Sequence, residues 1–441
     1  MSLCDWSALE DFEKVKNDIG IKGEPIHPFY TLNLIDDPKN LQIRSQNWSQ
    51  SNFKDDPNHL ISSIDVKNEK IKLGYFSSDF HNHAMLLLMR GQFKTHDTDK
   101  FEIYLFGFGN PPQSNLFDEI KNKNNIYIDL SDKSDDEAVE LVRKKKLDFA
   151  VDLNGFTTNS RTNIFAKKIA PVQINFLGYS GTMGSDFMNY IIADEVLIDE
   201  KTRKFYQEKV IFMPNSYQPN DDERLISETK SSRNDHGLKD NDVVICCFNN
   251  TYKITKYEFD VWLRILKKVD NAILWLLDTN EEVKININNY VSREGVDPKR
   301  IIYAKRINYS KYLERLKHAD IFVDTFNYNA HTTCSDALWS GVPVVTKKGK
   351  QFSSRVASSL LTAVGMKELI SNSVEEYEKI ILDLALNQNK LQKCKNKLKK
   401  DISLKPLFNT KNYTKNFENC LEKIYKNRLN KLEDQDIFIK Q

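Results

Sequence analysis

Lys253 follows an apolar run, 243–248, and two asparagines, Asn249 and Asn250. A lysine at the exit of a strand can neutralise a phosphate as a point charge. In a chain this rich in lysine, the alternative is a solvated side chain. A second loop, Asp324-Thr-Phe-Asn-Tyr-Asn-Ala-His-Thr-Thr-Cys-Ser-Asp336, joins a predicted strand to a helix expected to begin near Ser335. Thr332 and Thr333 stand at the N-terminus of that helix. Free N–H groups and the helix dipole bind phosphate there, and hydroxyls add donors. Asp336, expected in the first helical turn, either caps the helix or accepts from a ribose hydroxyl.

Two earlier loops also follow predicted strands. Residues 77–83 end in His83 at the start of a helix. An imidazole there can act as a general base; the alternative is a surface or capping histidine, and His81 lies two residues away. Residues 178–184 hold Gly178, Gly181 and Gly184, which make either a tight turn or a close backbone approach to a ligand.

The elements that must position these loops alternate. A helical lead-in occupies 1–65, with helices over 6–15 and 37–50 and a polar loop over 51–58. Strands follow at 70–76, 101–107, 125–130, 147–153, 172–177 and 190–193, with helices over 84–92 and 135–145. A second series places strands at 243–248, 272–277, 301–303, 321–324 and 342–346, with helices over 256–269, 280–294 and 309–318. A last helix is expected over 407–430, after Pro406. Apolar strands alternating with helices predict parallel sheets of βαβ units. Ligands bind such sheets beyond the carboxyl ends of the strands, where all four loops lie. The polar stretch 218–239 is the expected linker. The domains are thus 1–65 (lead-in), 66–225 (N-terminal Rossmann-like lobe), 226–400 (C-terminal Rossmann-like lobe) and 401–441 (a C-terminal helix packing back across the lobes).

Charge narrows the function. The 441 residues carry a formal net charge of +2, which offers no basic field for nucleic acid. The six cysteines form no C-x-x-C pair and no histidines gather near them, so no metal site and no disulfide framework is expected. No signal peptide and no membrane span is read, and a cytoplasmic location is expected.

Together the loops match a known pattern. Gly74-Tyr-Phe-Ser-Ser-Asp-Phe-His-Asn-His83, Phe176-Leu-Gly-Tyr-Ser-Gly-Thr182, Phe248-Asn-Asn-Thr-Tyr-Lys253, Ala330-His-Thr-Thr-Cys-Ser-Asp-Ala-Leu-Trp339 and Pro406-Leu-Phe-Asn-Thr410 occur in this order. They resemble successive motifs of the protein O-GlcNAc transferase catalytic region (glycosyltransferase family 41). The resemblance spans roughly residues 20–430 and implies a GT-B fold of two facing Rossmann-like domains. It also implies an inverting, metal-independent transfer of N-acetylglucosamine from UDP-GlcNAc to Ser or Thr of a protein or peptide, with no cofactor. By the same resemblance, Lys253 contacts the donor diphosphate, and His331, Thr332 and Thr333 form the pyrophosphate loop. Asp336 binds ribose, Arg315 sits at the nucleotide, Tyr312 stacks on uracil, and Leu177 and Gly178 line the sugar. His83 is the candidate base. Asn250 stands where animal members have Gln, and Tyr309 where they have Lys. The tetratricopeptide helices that precede this region in the family are absent from the sequence, so a repeat region or repeat partner is a further expectation. Alternative readings are a protein O-fucosyl- or N-glucosyltransferase of the same group, a sugar-nucleotide epimerase of the same architecture, and a non-catalytic binding module.

Overall fold

Near-continuous apolar runs build the sheets, as strands covered on both faces require. The computed structural model describes residues 3–54, 64, 68–109, 115–121, 124–400 and 402–439. Their strands, in chain order, are β1 (Ile71–Ser77), β2 (Phe101–Gly107), β3 (Asn125–Asp129), β4 (Phe149–Asp152), β5 (Val172–Asn175), β6 (Tyr190–Ala193), β7 (Lys209–Phe212), β8 (Val243–Cys247), β9 (Ala272–Leu277), β10 (Ile301–Ala304), β11 (Ile321–Val323), β12 (Val344–Lys347), β13 (Ile370–Ser371) and β14 (Ile437–Phe438). The chain divides into two compact units. The first comprises Asp18–Thr31, Asp37–Asp222 and Pro406–Gln441; the second comprises Met1–Asn17, Leu32–Asp36 and Glu223–Lys405.

The first unit holds a sheet of order β14-β7-β6-β5-β4-β1-β2-β3 and the second a sheet of order β10-β9-β8-β11-β12-β13. Neighbouring strands in both sheets run parallel. Each contains the doubly wound 3-2-1-4-5-6 order of a Rossmann-like domain, whose direction of winding reverses at one point. That point lies between β1 and β4 in the first unit, in register Leu73 to Phe149. In the second it lies between β8 and β11, in register Ile245 to Ile321.

Helix boundaries follow local capping. Ser134 and Glu137 form a reciprocal capping box at the helix Asp135–Lys145, which satisfies two orphan donors. Thr255 and Glu258 do the same for Lys256–Lys268, immediately after Lys253. In the second core, the Trp262 indole donates to the Tyr377 hydroxyl (3.0 Å), which donates to the Asp324 carbonyl (2.9 Å). In the first, Phe76 and Phe106 stack at 4.5 Å.

Several boundaries differ from expectation. The first helix starts at Leu9 rather than residue 6, because Trp6 is spent on Phe259 and Tyr290, 5.1 and 4.9 Å away. The second continues to Asn52, and residues 55–58 of the expected polar loop lie outside the described residues. The last helix begins at Thr410, since Pro406–Phe408 is a 3₁₀ turn and Asn409 is the cap. It lies against the helix Ala84–Thr95 of the same unit, with Thr95 and Thr414 hydroxyls 2.7 Å apart. β7, β14 and the helices Val356–Ala363, Val374–Leu386 and Gln388–Lys399 had no sequence assignment. None of the helices among the described residues is long and apolar enough to cross a membrane.

Candidate functional site

In the second unit the exits of β8 and β11 lie side by side, and both carry candidate residues. After β8 the chain closes a 3₁₀ turn, Thr251–Lys253, with Asn250 as its cap. The turn aims Lys253 at the loop after β11. Its Nζ donates to the Asn329 carbonyl (3.0 Å) and stands 3.9 Å from the centroid of the Tyr328 ring. Burial pulls the Lys253 ammonium down to about 8, partly offset by the Asp324 carboxylate.

Asp324 organises that loop. One carboxylate oxygen accepts from the N–H groups of Thr325 (2.9 Å) and Ala330 (2.6 Å), and the other from the Thr346 hydroxyl (2.7 Å). Burial raises its pKa to about 7. Asn249 bridges the two exits: its amide donates to the Thr325 hydroxyl (2.9 Å), and its carbonyl accepts from Thr333 (2.5 Å). Thr333 therefore orients the helix entrance through its side chain, while the first N–H groups of the helix have no intrahelical acceptor.

The helix runs Thr332–Trp339 with His331 as its cap residue. It starts three residues earlier than expected because the Cys334 and Ser335 amides both turn back to the His331 carbonyl. Asp336 consequently lies in the second turn and caps nothing. Its carboxylate instead accepts from Arg224 (3.0 Å) and Tyr309 (2.6 Å), and burial raises it to about 6. The His331 Nε2 lies 3.3 Å from the Ser353 carbonyl, and burial, with Lys253 adding to it, holds its pKa well below the usual imidazole range.

The remaining residues of this unit divide by depth. Asn250 is exposed and accepts from Arg306 at 3.1 Å. Tyr312 is half-buried, its ring 6.1 Å from Tyr309, and burial raises its phenol well above the ordinary value. Arg315 is buried, donates to the Lys305 carbonyl (2.6 Å) and sits 5.2 and 5.8 Å from the Phe248 and Trp275 rings. It is a core pillar behind the β8 exit.

The first unit joins the loops after β1 and β4 through Asn154. Its amide donates to Ser78 Oγ (2.9 Å) and Asp79 Oδ2 (3.1 Å), and its carbonyl accepts from the Ser78 amide (2.9 Å). His83 caps the helix Ala84–Thr95, its Nδ1 accepting from the Met85 amide at 3.3 Å. Its side chain is 47% exposed and lies 3.7 Å from Asp79. Desolvation lowers its pKa, and Asp79 opposes that shift. A neutral imidazole that accepts at Nδ1 carries its proton on Nε2. After β5, Leu177 adopts φ +70 and Gly178 follows. A Cβ on Gly178 would stand 2.3 Å from the Leu153 carbonyl oxygen and 2.7 Å from that of Asn154. This is a close backbone approach between the β4 and β5 exits.

The structure thus gathers Lys253, His331, Thr332 and Thr333 around the loop after β11, while Asp336, from the second turn of the Thr332–Trp339 helix, meets Tyr309 of the helix Tyr309–Leu316 that also carries Tyr312 and Arg315. His83, Leu177 and Gly178 belong to the first unit. Sequence reasoning assigned no role to Asn249, Asp324 or Arg224. Only the carboxylate at the end of a buried strand gave a signal, at Asp324. Among the described residues, no group of three His, Cys, Asp or Glu is placed to hold a metal.

Two doubly wound α/β units, with a half-buried lysine and a helix entrance at one switch point, define a Rossmann-like protein of the GT-B class. The sequence model of Glycosyl transferase family 41 matches residues 51–232 and 226–417, and the chain belongs to that family. It is 32% identical over 374 residues to the probable UDP-N-acetylglucosamine–peptide N-acetylglucosaminyltransferase SEC of Arabidopsis thaliana, covering 82% of this chain and 38% of the relative. It is 25% identical over 470 residues to the Caenorhabditis elegans UDP-N-acetylglucosamine–peptide N-acetylglucosaminyltransferase, covering 81% of this chain and 41% of that one. The chain therefore spans about two fifths of the length of these relatives. In fold it is similar to a Thermobaculum terrenum O-GlcNAc transferase mutant, with a TM-score of 0.82 at 24% identity over 91% of this chain and 76% of the other.

Proposed function

We propose that the chain is an inverting glycosyltransferase that moves N-acetylglucosamine from UDP-GlcNAc to Ser or Thr hydroxyls of a protein or peptide. Lys253, docked on the loop that enters the Thr332–Trp339 helix, carries the reading. An acceptor hydroxyl attacks the anomeric carbon on the face opposite UDP. The bond from that carbon to the diphosphate breaks, its electron pair goes to the leaving oxygen, and the hydroxyl proton passes to water. Lys253 and the N–H groups of Thr332 and Thr333 meet the charge that develops there. Preorganised donors of this kind supply roughly 3–4 kcal/mol each. Asp336, held by Arg224 and Tyr309, is the ribose contact, and Tyr312 is the aromatic face for uracil. Arg315 acts behind them, fixing the Lys305 carbonyl.

His83 is a positioning group on the acceptor side in this reading. Its Nδ1 serves the helix cap, so Nε2 presents a proton rather than a lone pair. Leu177 and Gly178 line the sugar with backbone groups. The reaction uses no metal or cofactor, and the six free cysteines accord with a reducing, cytoplasmic setting.

The reading is tested by incubating the chain with a peptide mixture and UDP-GlcNAc, UDP-glucose or GDP-fucose in turn, with and without chelator. Mass spectrometry should find N-acetylhexosamine on Ser or Thr, unaffected by chelator. Fucose transfer, an N-linked hexose, or a strict divalent-metal requirement would overturn it.

A further inference from the structure

The segment Leu32–Asp36 is separated in sequence from the loops after β8, β11 and β12 by more than two hundred residues, yet it bonds all three within the second unit. The Asn33 amide donates to the Tyr252 carbonyl, inside the turn that carries Lys253. The Asn33 carbonyl accepts from Asn327 (3.1 Å), in the loop after β11. The Leu32 carbonyl accepts from Gln351 (2.9 Å). The Asp36 carboxylate accepts from the amides of Lys350 and Gln351 (both 2.9 Å) and from the Ser354 hydroxyl (2.7 Å). The fit is close at Gly349, where a Cβ would stand 2.7 Å from Asp36 Oδ2 and 2.2 Å from Ser354 Oγ.

These bonds close a ring. The turn held by Asp36 presents the Ser353 carbonyl to the Asn329 amide (2.9 Å), and the Ser353 hydroxyl donates to the Asn327 carbonyl (2.9 Å). Asn329 in turn holds Lys253 (3.0 Å), and the Lys253 turn returns to Asn33. Cys4, also distant in sequence, adds a weak thiol contact to the Thr251 carbonyl at 3.7 Å. Asn33 and Leu32 are buried, so losing a partner there leaves polar groups without water.

We propose that Asn33 and Asp36 are positioning residues for Lys253, and that the lead-in thereby completes the donor site rather than merely preceding it. The inference rests on Lys253 as the diphosphate contact. A ring of this kind matters for rate because a misplacement of about 1 Å can cost on the order of a hundredfold. It matters for local order because each member is fixed by bonds from both sides.

The test uses Asn33→Ala, with Asp36→Asn as a second variant should the first fail to fold. UDP titration of the unsubstituted chain comes first and probes the donor reading alone; absence of binding sinks that reading. Amide exchange in residues 250–254 and 327–331 then probes the ring independently of catalysis. Faster exchange confined to those segments is expected, with kcat lowered about ten- to a hundredfold and KM little changed. Wild-type exchange and kcat in the folded variant would overturn the proposal. So would a rate loss that merely tracks a lower unfolding midpoint.

Discussion

Lys253 donates its ammonium to the backbone carbonyl of Asn329, 3.0 Å away and 76 residues further along the chain. The contact satisfies only one of three ammonium protons. In the proposed reading the others meet the donor diphosphate, together with the N–H groups of Thr332 and Thr333. Replacing Lys253 by Met removes this charge while keeping the aliphatic stem over Tyr328. Single-turnover transfer should fall by on the order of a hundredfold or more. The unfolding midpoint should hold or rise, because a partly buried ammonium costs solvation. Normal turnover would remove Lys253 from the mechanism.

The pH profile follows from the same group. Asp324, Cys247 and His331 face Lys253, and burial sets its pKa at about 8 in the free protein. The charged form is the active one, so kcat/KM should fall as pH rises through about 8. A bound diphosphate favours the ammonium, so the limb in kcat should lie at higher pH. Coincident limbs, or a limb that survives Lys253→Met in the residual activity, would contradict the assignment.

Arg224 and Asp336 are a buried pair, 6% and 3% exposed and 3.0 Å apart. Arg224→Met leaves the carboxylate with Tyr309 alone. Removing one partner of such a pair typically costs about 3–5 kcal/mol. Denaturant titration should show a loss of that order, and the double variant with Asp336→Leu should recover much of it. Nucleotide affinity should fall in the double variant, because the proposed ribose contact is gone. Full UDP affinity there would dismiss Asp336 as a binding residue.

At His83, cap and base predict different outcomes. His83→Asn can still cap the Ala84–Thr95 helix, whereas His83→Ala cannot; the alanine variant should lose about 1 kcal/mol of stability. Loss of a general base costs roughly 10²–10⁴ in rate. A positioning role predicts a smaller loss in both variants. A loss of the full size in His83→Asn, together with disappearance of the acidic limb of kcat/KM, would restore the base.

Gly178→Ala would push a methyl into two backbone carbonyls that have no side-chain freedom to give way. The β4 and β5 exits must part, at a cost of about 1–3 kcal/mol. Thermal unfolding should register the loss, and kcat/KM should drop with it. An unchanged melting temperature would mean that the approach is looser than the geometry shows.

The parallel α/β architecture was legible because periodicity is local. Runs such as Val243-Val-Ile-Cys-Cys247 declare a strand covered on both faces without reference to the rest of the chain. Some short elements were not legible. β7 offers only four residues and β14 two, and a short apolar run does not distinguish strand from buried helix. The helix after His331 starts earlier than its sequence suggests, because the Thr332-Thr-Cys334 run reads as loop. Only the bonds back to the His331 carbonyl make it helical.

By itself the sequence determined the loops that carry chemistry and the order in which they follow the strands, since loop chemistry and strand periodicity are both written in neighbouring residues. Its family motifs pointed to Lys253 and the His331-Thr-Thr333 stretch together. Only the tertiary structure decided what holds them. Asp324 folds its own loop around one carboxylate, Arg224 closes on Asp336 from the linker, and Asn33 and Asp36 secure the Lys253 turn from the far end of the chain. Those partners are set by burial and by the need to satisfy every buried polar group, and that need joins residues hundreds of positions apart.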